Sequence, residues 1–188
     1  MFVLAYDTET TNLPNWKAPS GDPSQPHLVQ IAALVANIET RQVIASLDLI
    51  IRPDGWEIPA VTSEIHGITT EYALAHGVPE AEAYALFMSL WGGKFRIAHN
   101  RTFDQRILRI AAKRYGTEAQ EEAWGDKETH GCTMMQAKAA MGVKKWPKLT
   151  EAYEHFTGKS LENAHSAMAD AQACLDVYFL MLDQEQAA

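Results

Sequence analysis

Residues 2–12 read F-V-L-A-Y-D-T-E-T-T-N, an apolar run that turns acidic without a break. Residues 2–7 are short and apolar enough for a buried strand. Asp7 and Glu9 stand at its end, two residues apart, and residues i and i+2 of a strand point to one side. Two carboxylates held side by side repel each other unless a cation lies between them. Taken alone, the pair reads equally well as a solvated strand end. Thr10, Thr11 and Asn12 then make a polar turn before Leu13.

Outward from this strand the chain alternates. Residues 13–27 carry four prolines and a glycine and read as a long loop. Strands are expected at 28–37 and 43–52, joined by a connection short enough for an antiparallel hairpin. A short helix at 61–66 would stop at Gly67. Val78-Pro79 marks the start of a helix over 80–91. A strand at 94–99 leads into an amphipathic helix at 103–115, with Phe103, Ile107, Leu108, Ile110 and Ala111 on its inner side. Residues 117–130 are acidic and read as a surface insertion. Helices follow at 133–140, 149–157 and 165–184. Strands first, then strands alternating with helices, imply a mixed sheet covered by helices, an α/β architecture.

Composition sets the bounds. The 188 residues are 47% hydrophobic and 21% charged, as in ordinary globular domains. That composition excludes a disordered chain, a collagen-like chain and a small disulfide scaffold, and the length suits one domain with its own core. Cys132 and Cys174 are too few for a framework and have no zinc spacing, so they read as reduced thiols. The N-terminus has no basic segment before a long apolar one, and no apolar run approaches the roughly 20 residues needed to span a bilayer. The expectation is a soluble, cytoplasmic protein with no membrane partner.

Two further clusters carry possible chemistry. Residues 98–104, A-H-N-R-T-F-D, lie where a strand passes into a helix. Asp104 would fall in the first helical turn, where a negative charge suits the helix dipole. Residues 163–171, N-A-H-S-A-M-A-D-A, open the last helix. Alanines at 164, 167, 169, 171 and 173 let that helix approach the sheet closely. His165 and Asp170 are five residues apart, about 140° around a helix, so their side chains are expected to approach from different sides. Singly, Asp104 reads as a helix-terminal acid and His165 as a local cap.

Together the clusters resemble the DEDDh exonuclease family. The matching motifs are D-T-E-T-T at 7–11, H-N-x-x-F-D at 99–104 and H-x-x-x-x-D at 165–170, with S-x-x-H-G-I-T at 63–69 and L-x-x-x-x-x-x-F-x-G at 149–158 between them. They run in family order over nearly the whole chain. The sister DEDDy branch has a tyrosine four residues before the last aspartate. Ser166 stands there, and His165 fits the DEDDh pattern.

The resemblance implies an RNase H-like fold with a mixed five-stranded sheet flanked by helices, one exonuclease domain over 1–188. It implies Asp7, Glu9, Asp104 and Asp170 as ligands of two Mg²⁺ or Mn²⁺ ions, and His165 as general base. Hard cations prefer carboxylate oxygens, and an unperturbed histidine titrates near pH 6.5, about right for a base. Thr8 and Thr10 would meet the terminal sugar. Leu13 and Phe103 would pinch the terminal base, with Asn100 and His66 lining the same pocket. The implied reaction is 3′→5′ removal of nucleoside 5′-monophosphates from single-stranded nucleic acid with a free 3′ end, DNA favoured. Alternatives on the same fold are an exoribonuclease for short RNA and a non-catalytic nucleic-acid or polymerase-binding module.

Three departures stand out. Asn12 replaces a glycine common in the family, though asparagine also tolerates left-handed geometry. The 13–27 loop is longer than in compact relatives, and the 117–130 insertion is acidic. The chain also ends soon after its last helix, without the C-terminal segment associated with polymerase tethering. A stand-alone nuclease is therefore expected, and nothing in the residues supports a DNA polymerase partner.

Lys and Arg total 16 against 24 Asp and Glu, a net charge of -8, which on its face disfavours a nucleic-acid partner. The distribution changes that. Residues 101–148 hold 10 basic and 6 acidic residues, a net of +4, and four of the acids elsewhere and within it are the implied metal ligands. Eight of these ten fall in two groups: Arg101, Arg106, Arg109, Lys113 and Arg114 around one helix, and the lysines of the stretch Lys144-Lys145-Trp146-Pro147-Lys148. The second, with its tryptophan, is the better candidate for nucleic-acid contact.

Overall fold

In the computed structural model, which describes residues 1–187, the first strand is the middle of everything. β1 (Phe2–Thr10) pairs antiparallel with β2 (Leu28–Asn37), which pairs antiparallel with β3 (Val43–Arg52). On its other side β1 pairs in parallel with β5 (Phe95–Ala98), and β5 with β6 (His130–Cys132). The two-residue β4 (Val78–Pro79) completes the order β4-β3-β2-β1-β5-β6.

The sheet is mixed, as expected, but has six strands rather than five. Val78-Pro79, read as a helix start, also pairs with Ile51 and Arg52. Proline is tolerated there because this is the sheet edge. Gly77 permits the approach: a Cβ on it would lie 2.5 Å from the Arg52 amide nitrogen.

The helices are α1 (Ala60–His66), α2 (Thr70–His76), α3 (Glu80–Trp91), α4 (Arg101–Tyr115), α5 (Glu118–Gly125), α6 (Thr133–Ala140), α7 (Leu149–Thr157) and α8 (Ala167–Ala187). α1 stops at Gly67, whose φ of 75° is the left-handed geometry that glycine adopts freely. α2 has no counterpart among the sequence expectations. It is seven residues long, and the Thr69 hydroxyl caps it by accepting from the Tyr72 N–H. Among the described residues no helix is long and apolar enough to cross a membrane.

Strand alternation divides β1 between two cores. Val3 and Ala5 face α8, in a layer with Ala32, Leu34, Ala167, Ala171, Cys174 and Leu175. Leu4 and Tyr6 face α3 and α4, in a layer with Tyr84, Phe87, Ile107 and Leu108. The buried alanines on both β1–β2 and α8 let helix and sheet meet closely, as the alanine pattern implied. Continuing the alternation sends Asp7 and Glu9 to the α8 side and Thr8 to the α4 side.

The 117–130 segment is not an insertion lying on the surface. Thr117 and Gln120 form a capping box that opens α5. Trp124 is only 1% exposed, sits edge-on to Tyr6, Phe87 and Trp91, and donates its indole N–H to the Gln105 carbonyl. Full burial of such a ring stabilises by roughly 3 kcal/mol or more relative to alanine. Arg96, fully buried, lies over the Trp124 ring and donates to the Trp124 and Asp126 carbonyls. His130 is a second buried anchor, bonded to the Tyr6 hydroxyl, and Glu118, Glu122, Asp126 and Glu128 face water around the two.

The 13–27 loop is long but fastened. Gln25 is buried, and its side-chain amide donates to the carbonyls of Asn15, Ala18 and Pro19 and accepts from the Asn15 N–H. From α4, Arg106 donates to the Ala18 carbonyl, and Arg114 to those of Gln25 and Pro26. Arg101 donates to the His130 carbonyl, and Lys113 pairs with Glu121. Much of the basic charge on α4 therefore holds the fold together.

Candidate active site

The site forms at the C-terminal end of β1, where α4 and α8 begin. Asp104 lies in the first turn of α4, 2% exposed. Its Oδ1 accepts from the Thr8 N–H at 3.1 Å and from the Thr8 hydroxyl at 2.8 Å. The alternation of β1 sends Thr8 toward α4, and these two bonds fix the carboxylate. Asn100, just before the helix, has φ 61°, a left-handed geometry that asparagine tolerates.

Asp170 enters from the opposite side of the sheet, in the first turn of α8. Its Oδ2 accepts from the His165 N–H at 3.1 Å. Its Oδ1 is buried and, among the described residues, has no hydrogen-bond partner. The last turn before α8 is left-handed twice, at Asn163 (φ 54°) and His165 (φ 70°). His165 therefore lies outside the helix, and the 140° helical separation does not apply. Ligand atoms of Glu9, His165 and Asp170 all come within 4.8 Å of one another. Such left-handed non-glycine residues cost of order 1–3 kcal/mol each and persist where the surroundings hold them.

The four carboxyl groups feel one another. Burial, then the charges of Asp104, Asp170 and Glu9, holds Asp7 well above the usual carboxylate range. Burial, with Asp170 and Asp104 beside it, pushes Glu9 up to about 8. Burial raises Asp104 to about 7 against the opposing pull of the Thr8 hydrogen bonds. Burial raises Asp170 too. Four acids this close cannot all be ionised without positive charge between them. The donor set is all oxygen plus one imidazole, and the orphaned Asp170 Oδ1 still needs a partner. This arrangement fits hard divalent cations.

The other expected residues divide. Thr8 is at the centre, as a holder of Asp104. Thr10 is buried, and its hydroxyl donates to the Asn12 carbonyl at 2.8 Å. Leu13 is 71% exposed, and Phe103 half-buried against the α3–α4 core. His66 is half-buried, accepts from the Ile68 N–H and lies near enough to His165 for the two charges to interact. Burial and that neighbour lower its pKa. Asn100, His165 and Asp170 share one cavity, and Leu13, His66 and Phe103 do not line it.

One contributor went unread in the sequence. Gln30 lies opposite Glu9 in the β1–β2 register. Its Oε1 accepts the Ala167 N–H at 3.1 Å, and its Nε2 donates to Asp48 at 2.7 Å. It thus ties the start of α8, and with it Asp170, to the sheet. Its only sequence signal is a lone amide in the otherwise apolar run L-V-Q-I-A-A-L-V-A.

Converging acids at the strand ends of a mixed sheet, approached by helices from both faces, are the layout of an RNase H-like fold. A model of the exonuclease family called RNase_T matches residues 4–178. An uncharacterised exonuclease of Escherichia phage 186 is 30% identical over 181 residues, which is 93% of this chain and 84% of that protein. A DNA polymerase III subunit epsilon-like protein of Rhodobacter capsulatus is 29% identical over 182 residues, 95% of this chain but only 23% of that one. E. coli Exonuclease I, in complex with a dT13 oligonucleotide, superposes with a TM-score of 0.78 at 23% identity. That match covers 99% of this chain and 42% of Exonuclease I, so the present chain spans well under half of that enzyme. A zinc-bound form of an Exonuclease I–ssDNA complex superposes at 0.73 with 24% identity. The chain belongs to the exonuclease family.

Proposed function

We propose that residues 1–188 form one exonuclease domain that shortens single-stranded DNA from its 3′ end, using divalent cations. The observation that carries this reading is the convergence of Asp7, Glu9, Asp104 and Asp170, with one buried Asp170 oxygen that has no partner among the described residues. Those four carboxylates would hold Mg²⁺ or Mn²⁺, two ions by analogy with the family pattern. When bound, the ions would acidify a water and offset charge on the leaving oxygen.

The chain's own groups do the rest. The Thr8 N–H and hydroxyl hold the Asp104 carboxylate in place. A ring nitrogen of His165, which lies at the rim within reach of Glu9 and Asp170, takes the proton from the attacking water. Water attacks phosphorus, the bond to the 3′ oxygen of the upstream nucleotide breaks, and a nucleoside 5′-monophosphate leaves. Leu13 and Phe103 grip the terminal base, and Asn100 and His66 border the nucleotide. Thr10, bonded to its own turn, acts by shaping the loop that presents Leu13. The oligonucleotides bound to Exonuclease I support DNA as substrate.

A panel of matched DNA and RNA, single- and double-stranded, with Mn²⁺, Mg²⁺ or EDTA tests this. Single-stranded DNA should be degraded fastest, and EDTA should stop it. Tight binding without cleavage in any arm would instead favour a non-catalytic module.

A further inference from the structure

The Lys144–Lys148 stretch plays no part in the carboxylate cluster, yet the fold carries it to the cluster's edge. A cavity of about 440 Å³ runs from Trp146 and Leu149 to Asn100, His165 and Asp170. His99 fixes its wall. The His99 Nε2–H donates to the Pro147 carbonyl at 3.0 Å, and Nδ1 accepts from the Thr133 hydroxyl at 3.1 Å. The residue after Trp146 is therefore tied to the same strand end that supplies Asn100.

Trp146 is 50% exposed, an unusual placement for so large an apolar ring. It is not left to sweep through solvent. The Lys138 ammonium lies 3.9 Å from its ring centroid, a cation–π contact that restrains the indole while the ring borders the cavity. Lys144, Lys145 and Lys148 flank it and are exposed. Among the described residues none of these four lysines forms a salt bridge. On a chain of net charge -8, this is an unneutralised basic rim around an aromatic platform. That combination suits a base with its phosphates and suits neither an apolar peptide nor a lone anion.

We propose that this cavity is a nucleobase subsite in which Trp146 stacks on a base of the substrate strand, with Lys138 and the flanking lysines at its phosphates. The proposal rests on the nuclease reading above. Leu13 and Phe103, assigned to the terminal base, do not line this cavity. Asn100, which borders the terminal nucleotide, lines this cavity at one end, so the base taken at the Trp146 end is the one 5′ of the terminal nucleotide.

The test pairs protein and substrate changes. Oligonucleotides carrying one abasic residue at successive positions from the 3′ end are degraded by wild type, Trp146→Ala and Trp146→Phe, with kcat/KM measured for each. Wild type should lose about tenfold when the abasic residue occupies one upstream position, the usual size of a stacking contact. Trp146→Ala should be about tenfold slower on intact DNA and show no further loss at that position. Trp146→Phe should retain most of the wild-type rate and of the abasic penalty. Equal abasic penalties in wild type and Trp146→Ala at every position would overturn the subsite while leaving the nuclease reading intact. Absence of metal-dependent shortening by wild type would overturn both.

Discussion

Asp7 and Glu9 are placed by nothing more than strand alternation, which carries the parity of Val3 and Ala5 on toward α8. The cost of that placement is electrostatic. With no cation present, burial and neighbouring charge lift Asp7, and the same causes carry Glu9 to about 8. Replacing Asp7 with asparagine removes one repelling acid and keeps the side chain's shape. The cation-free variant is expected to melt higher than wild type by roughly 2–4 °C, the shift that about 1 kcal/mol gives in a chain of this size. It should have no measurable nuclease activity. A lower melting temperature, measured by calorimetry with EDTA present, would show that the cluster is not under repulsion.

At the scale of elements, the start of α8 matters most, because it carries His165 and Asp170 together. Gln30 is its tie to the sheet. In Gln30→Ala the Ala167 N–H loses its acceptor and Asp48 its donor, a loss of about 1 kcal/mol for each bond. The expected outcome is a fall in kcat of about tenfold or more with KM little changed, since Asp170 loses its register while the strand-binding groups stay in place. An unchanged kcat would mean that packing of Ala167 and Ala171 alone sets the helix.

The same scale separates what could be read from what could not. β1, the β2–β3 hairpin and α4 carry clear periodicity, and their cores are the ones the pattern implied. α5 was hidden because its acidic face dominates composition, and the fold needs only Trp124 from it. β4 and β6 are two and three residues long, too short for any period. Their pairing depends on distant partners, at Ile51–Arg52 and Arg96–Ala98. The acids of the site were legible as motifs. The left-handed turn at Asn163 and His165 was not, because neither residue is glycine and a turn before α8 leaves no periodic signal.

Over the whole molecule, the titrating groups oppose one another. A carboxyl whose pKa is higher folded than unfolded holds more protons when folded, so its contribution to stability falls as pH rises. Glu9 (about 8) and Asp104 (about 7) act this way, from their ordinary values up to those. His99 is held down by burial, and His130 is lowered to about 2 by burial and by Arg96 and Arg101. They act in reverse, since unfolding lets them take protons below about pH 6.5. Between about pH 6.5 and 8 the carboxyls act alone. The melting temperature of cation-free protein should fall across that window, and millimolar Mn²⁺ should reverse the fall. A flat profile indifferent to Mn²⁺ would contradict the shared carboxylate site.

The net charge of -8 does not stand against a nucleic-acid substrate. Four of the acids lie together at the site, and lysines that form no salt bridge among the described residues gather at its rim. The direct test is a time course on 5′-labelled single-stranded DNA with Mn²⁺, beside the same strand blocked by a 3′-terminal phosphorothioate linkage. Stepwise shortening from the 3′ end, with release of nucleoside 5′-monophosphates, slowing at the block and absence in Asp7→Asn, is the expected result. Internal cuts, release of 3′-monophosphates, or shortening that persists in Asp7→Asn would contradict it.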